Sequence, residues 1–261
     1  MRPRIAIPLP HSLNPEYAQR SIPQYERAVT LAGGDPVRIP LDRTSALVSK
    51  MIEDCHGVLL PGSSADVDPE RFHAERSVHT AAPDPRRDAV DDLLLADAYK
   101  LRKPVLGICY GLQSLNVFRS GSLIQHIPDF LPEETRAKVN HEAGKDVAVA
   151  HTVEIEPGSK LGSIVSPGGV SARNSSATDE DEDEKLVIPV NSSHHQSADA
   201  IGGRLRIVGR CPVDGIIEAL EGTDPDHFVV AVQWHPERSV DADEPSRAIF
   251  RALIEHASIS T

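Results

Sequence analysis

Three short groups of residues in this 261-residue chain have the types and spacing for chemistry at a carbonyl carbon. The first is Gly107-Ile108-Cys109-Tyr110-Gly111. An apolar run, Val105–Ile108, reads as a buried strand, and Leu112, Leu115, Val117 and Phe118 follow at helical spacing. A cysteine at such a strand-to-helix corner is held in a sharp turn with its side chain above the sheet, the cysteine form of a nucleophile elbow. The start of a helix favours the thiolate, which is the reactive species. A lone cysteine in a strand would more often be a small buried hydrophobe. The flanking glycines, which allow the tight turn, argue for the elbow.

The second group, His235-Pro236-Glu237, ends the apolar run Phe228–Trp234. A cysteine nucleophile needs a base within reach, and the base needs a third group to fix its tautomer. Cys109 and His235 each follow an apolar strand, so one parallel sheet would bring both to the same edge. Glu237, two residues on across a proline, can turn its carboxylate back onto the imidazole. The third group, Pro61-Gly62-Ser63-Ser64, follows the strand-like Gly57–Leu60 and offers N–H groups to a substrate. A tetrahedral intermediate needs two such donors. The Tyr110 and Gly62 N–H groups are the expected pair, with Ser63 beside the substrate.

The elements that must position these groups alternate between strand and helix. Arg4–Leu9 reads as a strand, 17–31 as a helix closed by Gly33-Gly34, and Pro36–Ile39 as a second strand. Thr44 can cap a helix to about Glu53, ahead of the Gly57–Leu60 strand. An amphipathic helix over 88–101 feeds the Cys109 strand. This order predicts an α/β fold, a doubly wound, mostly parallel sheet with helices on both faces and ligands beyond the C-terminal strand ends. The stretch 65–85 is either a surface excursion or a lid over the site. Strand-like runs follow at 147–155, 187–190, 205–208, 215–220 and 228–234, then a helix over 248–256. Residues 128–145 carry no assignable pattern. Asp179-Glu-Asp-Glu-Asp-Glu184 lies in a segment, about 171–185, that reads as a disordered, solvated insertion and not a metal site. No internal repeat or linker divides the chain, so one domain over 1–261 is expected.

Hydrophobic content of 39% and charged content of 25% fit a soluble globular protein, and a net charge of −12 argues against nucleic-acid or anionic-membrane partners. Cys55, Cys109 and Cys211 are odd in number and widely spaced, which suggests neither a disulfide framework nor a zinc motif. With no signal-peptide pattern and no membrane-length apolar run, a cytoplasmic location is expected.

Together Gly107-Ile-Cys109-Tyr-Gly-Leu-Gln113, Pro61-Gly-Ser63 and Val232-Gln-Trp-His235-Pro-Glu237 resemble the class I glutamine amidotransferase superfamily. Ala65-Asp-Val-Asp-Pro69, Arg87-Asp-Ala89, Gly121-Ser-Leu-Ile-Gln125 and Val190-Asn-Ser-Ser-His-His-Gln196 narrow the likeness to stand-alone gamma-glutamyl hydrolases of the gamma-glutamyl-gamma-aminobutyrate type. The resemblance covers nearly the whole chain. It implies a flavodoxin-like domain with Cys109 as nucleophile, His235 as general base and acid, and Glu237 as its orienting carboxylate. It also implies that Gln113, Ser193 and His194 hold the α-amino and α-carboxylate groups of a gamma-glutamyl substrate; the alternative for the His194-His195 pair is an internal structural turn. No cofactor or metal is implied. The implied partner is a small gamma-glutamyl molecule, with a homodimer a reasonable assembly. Three departures stand out: Tyr110 replaces a frequent arginine, which bears on the leaving group; Ser120 replaces a frequent glycine; and the acidic insertion at 179–184 has no counterpart in the family. A glutaminase subunit feeding a synthase, or a silent binding protein on the same fold, are the rival readings.

Overall fold

The computed structural model describes residues 1–166 and 186–259, so the acidic block at 179–184 lies outside the described residues. In chain order the first half contains β1 (Arg4–Pro8), α1 (Pro15–Leu31), β2 (Asp35–Ile39), α2 (Ser45–Glu53), β3 (Gly57–Leu60), α3 (Pro85–Leu101), β4 (Val105–Ile108) and α4 (Tyr110–Phe118). It continues with β5 (Leu123–Ile124), α5 (Ile127–Phe130), α6 (Glu133–Arg136), β6 (His151–Ile155), α7 (Lys160–Val165), β7 (Leu186–Val190) and β8 (Ser197–Ala198). The last elements are β9 (Leu205–Arg210), β10 (Ile217–Gly222), β11 (Val229–Val232) and α8 (Glu244–Ile259).

The main sheet has the order β2-β1-β3-β4-β11-β10-β9-β6-β7. From β2 to β11 every pairing is parallel, and from β11 to β7 every pairing is antiparallel. Following those pairings, β10 and β6 are the described strands that run against the rest, so the sheet is mostly parallel as expected. A short antiparallel pair, β5 with β8, stands apart.

Two-residue periodicity divides the parallel strands between two cores. Ile5, Ile7, Leu106, Ile108, Val230 and Val232 face α1 and α8, through Ile22, Tyr25, Val29, Phe250 and Leu253. Ala6, Val58, Val105, Val229 and Ala231 face the other way, onto Leu94, Leu95, Ala98, Leu112 and Leu115 of α3 and α4. Helices therefore cover both faces.

The boundaries differ from the sequence expectation where capping decides them. The helix expected from 88 begins at Pro85, because Asp84 accepts from the Arg86 and Arg87 N–H groups and proline suits the first helical position. The strand expected over 147–155 is confined to His151–Ile155, where β7 and β9 supply partners. The unassigned stretch after 126 contains α5 and α6, each a single short turn of helix.

Ser120 closes α4 at φ 69°, in the left-handed region, with its N–H on the Val117 carbonyl. A Cβ is penalised there, whereas glycine is at ease. Ser120→Gly is expected to stabilise the protein by up to about 1 kcal/mol, measurable as a higher urea midpoint at unchanged slope.

Candidate active site

Three neighbouring strands deliver the three chemical groups to one edge. β3 and β11 flank β4, with Leu60 opposite Gly107 and Val232 opposite Ile108. The chain therefore leaves all three strands side by side, beyond their C-terminal ends. Cys109 follows β4 with φ 53° and ψ −106°, a strained conformation for a residue with a side chain. Its N–H donates to the Val232 carbonyl at 2.8 Å, which fastens the turn to β11. The flanking glycines are a steric requirement. A Cβ at Gly111 would stand 2.2 Å from the Leu60 carbonyl oxygen, and one at Gly107 would stand 2.8 Å from the Gly111 carbonyl oxygen. The elbow therefore packs backbone on backbone.

His235 lies three residues beyond β11 and is 3% exposed. Its Nδ1 is 2.8 Å from Glu237 Oε1, which leaves Nε2 as the ring nitrogen available to the Cys109 thiol. Burial disfavours the imidazolium, but Glu237 and Cys109 outweigh it and raise His235 to about 9. Gly62 closes the third side: a Cβ there would stand 3.1 Å from His235 Cε1 and 3.7 Å from Cys109 Cβ.

The other expected residues are held as follows. The Gly62 N–H donates to the Tyr25 hydroxyl at 3.0 Å, so this donor is already engaged instead of open to an oxyanion. Ser63 Oγ accepts from the Ala65 N–H and so shapes its own loop. Gln113 is buried, and its Nε2 donates to the Gln196 carbonyl at 3.2 Å and to Gln233 Oε1 at 3.3 Å, which directs that nitrogen into the protein and not toward a ligand. Ser193 Oγ accepts from Arg238 Nη1 at 2.8 Å. The His194 ring is buried, with Nδ1 on the Gln196 carbonyl and Nε2 3.4 Å from Glu218 on β10.

Several residues have roles that the sequence reading did not assign. Asn191 grips the His235 backbone twice, its Nδ2 donating to the carbonyl at 2.8 Å and its Oδ1 accepting from the N–H at 2.9 Å. Arg87 is fully buried, and its guanidinium donates to the carbonyls of Pro10 and Pro61 and to Asp91. It thereby holds the loop that carries Gly62. Tyr110 places its ring 4.8 Å from the Arg87 guanidinium and donates its hydroxyl to Asp88 at 2.5 Å. The side chain that replaces the usual arginine is thus buried among α3 residues. The stretch 65–85 is tied to the loops around the site: Gln125 Oε1 accepts from Ser77 N–H and Thr80 hydroxyl, and Asp66 meets His195. A cleft of about 450 Å³, lined by Tyr17, Tyr25, Lys145, Glu237 and Arg238 among others, opens beside Glu237.

With this geometry in view, the likeness to known proteins is specific. Residues 10–237 match the Peptidase C26 family model, a span that includes all three groups, and the chain belongs to that family. It is a class I glutamine amidotransferase-like hydrolase. It is 30% identical over 235 residues to the gamma-glutamyl-gamma-aminobutyrate hydrolase PuuD of Escherichia coli (strain K12), covering 88% of this chain and 84% of that protein. A Mycobacterium tuberculosis protein provisionally named a glutamine amidotransferase is 36% identical over 237 residues; the match covers 90% of this chain and 66% of that longer protein. Among solved structures, a Thermoplasma acidophilum protein provisionally described as a GMP synthase subunit shares the fold at a TM-score of 0.63 and 14% identity, over 99% of this chain and 96% of its own. No described helix is long and apolar enough to cross a membrane.

The raised His235 value has a sign that can be tested. Below the ordinary value of 6.5 both folded and unfolded chains hold the imidazole proton, and its stabilisation is fully present. As pH rises toward about 9 only the folded chain keeps that proton, so the contribution declines and is lost above about 9. The stability gap between wild type and His235→Gln, measured by urea denaturation, is expected to be widest in mild acid and to narrow through that window.

Proposed function

We propose that this hydrolase cleaves the amide bond of a small gamma-glutamyl amine, of the gamma-glutamyl-γ-aminobutyrate or gamma-glutamyl-polyamine type. One observation carries the reading: a strained cysteine, a buried histidine and a carboxylate meet in sequence at the edge formed by β3, β4 and β11. In this reading Cys109 attacks the γ-carbonyl, and the Cys109–His235–Glu237 set acts as nucleophile, general base and acid, and orienting carboxylate. The imidazolium gives its proton to the departing amine. Water, activated by the same imidazole, then opens the gamma-glutamyl thioester and releases glutamate.

The Tyr110 N–H, in the first turn of α4, is the primary oxyanion donor. For Gly62 N–H to be the second, the developing oxyanion must displace the Tyr25 hydroxyl that it now meets. Gln113 and Ser193 would support the substrate through the backbone they hold, Gln113 by fixing the Gln196 carbonyl and Ser193 by its bond to Arg238. Ser63 stays beside the γ-carbonyl in the loop after β3. The names of the Escherichia coli relatives favour a gamma-glutamyl substrate. The chain is read as one self-contained domain acting in the cytoplasm without a cofactor. A glutaminase subunit remains the second reading, because solved relatives of the same fold include PurLQS of Thermotoga maritima, at a TM-score of 0.56.

Glutamate release from a panel of gamma-glutamyl amines and from glutamine tests the proposal. One gamma-glutamyl amine is expected to turn over well above glutamine, with activity abolished in Cys109→Ala. Turnover of glutamine alone, or turnover surviving in Cys109→Ala, would refute it. Glu237→Gln keeps the shape but not the charge of the orienting group, and kcat is expected to fall by about 10²–10⁴-fold.

A further inference from the structure

On the antiparallel side of the sheet, four buried side chains converge from separate parts of the chain. They are His141, before β6; His151, at the start of β6; His194, in the 191–196 loop; and Glu218, on β10. Each offers one ligand atom, and all four atoms lie within 4.8 Å of one another. His141 Nδ1 is 3.2 Å, His194 Nε2 3.4 Å and His151 Nε2 3.6 Å from Glu218 Oε1. Despite these short distances, none of these three nitrogens has a hydrogen-bond partner, and neither oxygen of Glu218 has one. The four ligand atoms therefore crowd together without pairing off by hydrogen bonds. A buried polar atom left in that condition is destabilising, and five together call for a common partner.

We propose that His141, His151, His194 and Glu218 form a closed, four-coordinate zinc site. Zinc bonds of about 2.0–2.2 Å to imidazole nitrogen and carboxylate oxygen require tetrahedral edges of about 3.3–3.6 Å; the three edges to Glu218 Oε1 lie at 3.2, 3.4 and 3.6 Å, and the nitrogen–nitrogen edges, within 4.8 Å, would draw in around the ion. The rings fan around the space, with the His141 ring at 65° to His151 and 52° to His194. Each imidazole also has its other nitrogen on an oxygen: Asp214 Oδ2 for His141 at 2.8 Å, the Thr152 carbonyl for His151 at 3.1 Å, and the Gln196 carbonyl for His194 at 2.9 Å. Those contacts fix the tautomers that leave His141 Nδ1, His151 Nε2 and His194 Nε2 free to bind a metal, as in known histidine sites. The carboxylates of Glu218 and Asp214 match the double charge of the ion. Neutral imidazoles with one carboxylate and no thiolate suit zinc, and four protein ligands leave no open position for catalysis.

The neighbouring group of His141, Cys211 and Asp214 is a weaker candidate, because its His141–Asp214 contact is already a satisfied hydrogen bond. These ligands lie far apart in the chain and follow no zinc spacing, so no motif marks them in the sequence. The site would act on the reaction through position alone. His194 lies between Asn191, which grips His235, and Gln196, whose carbonyl meets Gln113, so the ion would tie that loop to β10 and β6.

The test uses untagged wild-type protein purified without chelator and analysed for metal by mass spectrometry. One zinc per chain is expected. Removal with a chelator should lower Tm, and added zinc should restore it. Cobalt(II) in place of zinc should give the intense visible bands of a four-coordinate ion. Asp214→Asn should weaken zinc affinity by about 10–100-fold, and His151→Ala should lose the metal. Metal-free wild-type protein whose Tm is indifferent to zinc would overturn the proposal and make the cluster a buried ionic network. Weak six-coordinate cobalt bands, or full zinc retained in folded His151→Ala, would equally overturn it. The cobalt spectrum needs no variant and decides the matter if the variants fail to fold.

Discussion

The architecture depends on a backbone that passes through a forbidden shape at Cys109. A side-chain-bearing residue at φ 53° and ψ −106° persists only where its surroundings leave no alternative. Here the surroundings are the Cys109 N–H bond to Val232 and the close approach of Gly111 to the Leu60 carbonyl. The first bond fixes the elbow to β11 and the second contact fixes it to β3. The same two constraints bring the loops that carry His235 and Gly62 alongside. Strain at one residue and adjacency of three strands are therefore one feature.

The two halves of the sheet divide the work. The parallel half, covered on both faces, supplies strand ends that open in a common direction. The antiparallel half adds strands that return to the site from the far side, with the 191–196 loop leaving β7 to reach it. Glu218, buried in that half, faces the rings of His141, His151 and His194. The position of His235 thus depends on elements well removed from it in sequence.

Much of the parallel half was legible in the sequence, because apolar runs bounded by Gly and Pro mark buried strands and the Cys109 elbow carries its own glycines. The neighbourhood of Cys109, His235 and Glu237 was legible for the same reason: strand ends in a parallel sheet share an edge. The direction of the His194 ring was not. In a loop no periodicity sets which way a side chain points, and the resemblance implies only a substrate-holding role there. Nor does the sequence show that the Tyr110 ring packs against the Arg87 guanidinium. One signal was present and unused: Glu218 interrupts the run Ile216-Ile217-Glu218-Ala219-Leu220, and a carboxylate in an otherwise apolar strand must find partners inside. The stretch after 126 offered no such sign, since α5 and α6 are too short to establish a period.

The grip of Asn191 on His235 has a further meaning. A carboxamide has the shape and polarity of a peptide group, and here it pairs with the N–H and C=O of one residue as an adjacent strand would. β11 has ended by this point, yet its edge is continued for one more residue by a side chain. The position therefore demands a donor and an acceptor at fixed separation. Aspartate has the outline but no donor, and glutamine has both groups on a stem one methylene too long. Asparagine is the side chain that can imitate the missing strand here, so the alphabet of tolerated residues at 191 is close to a single letter.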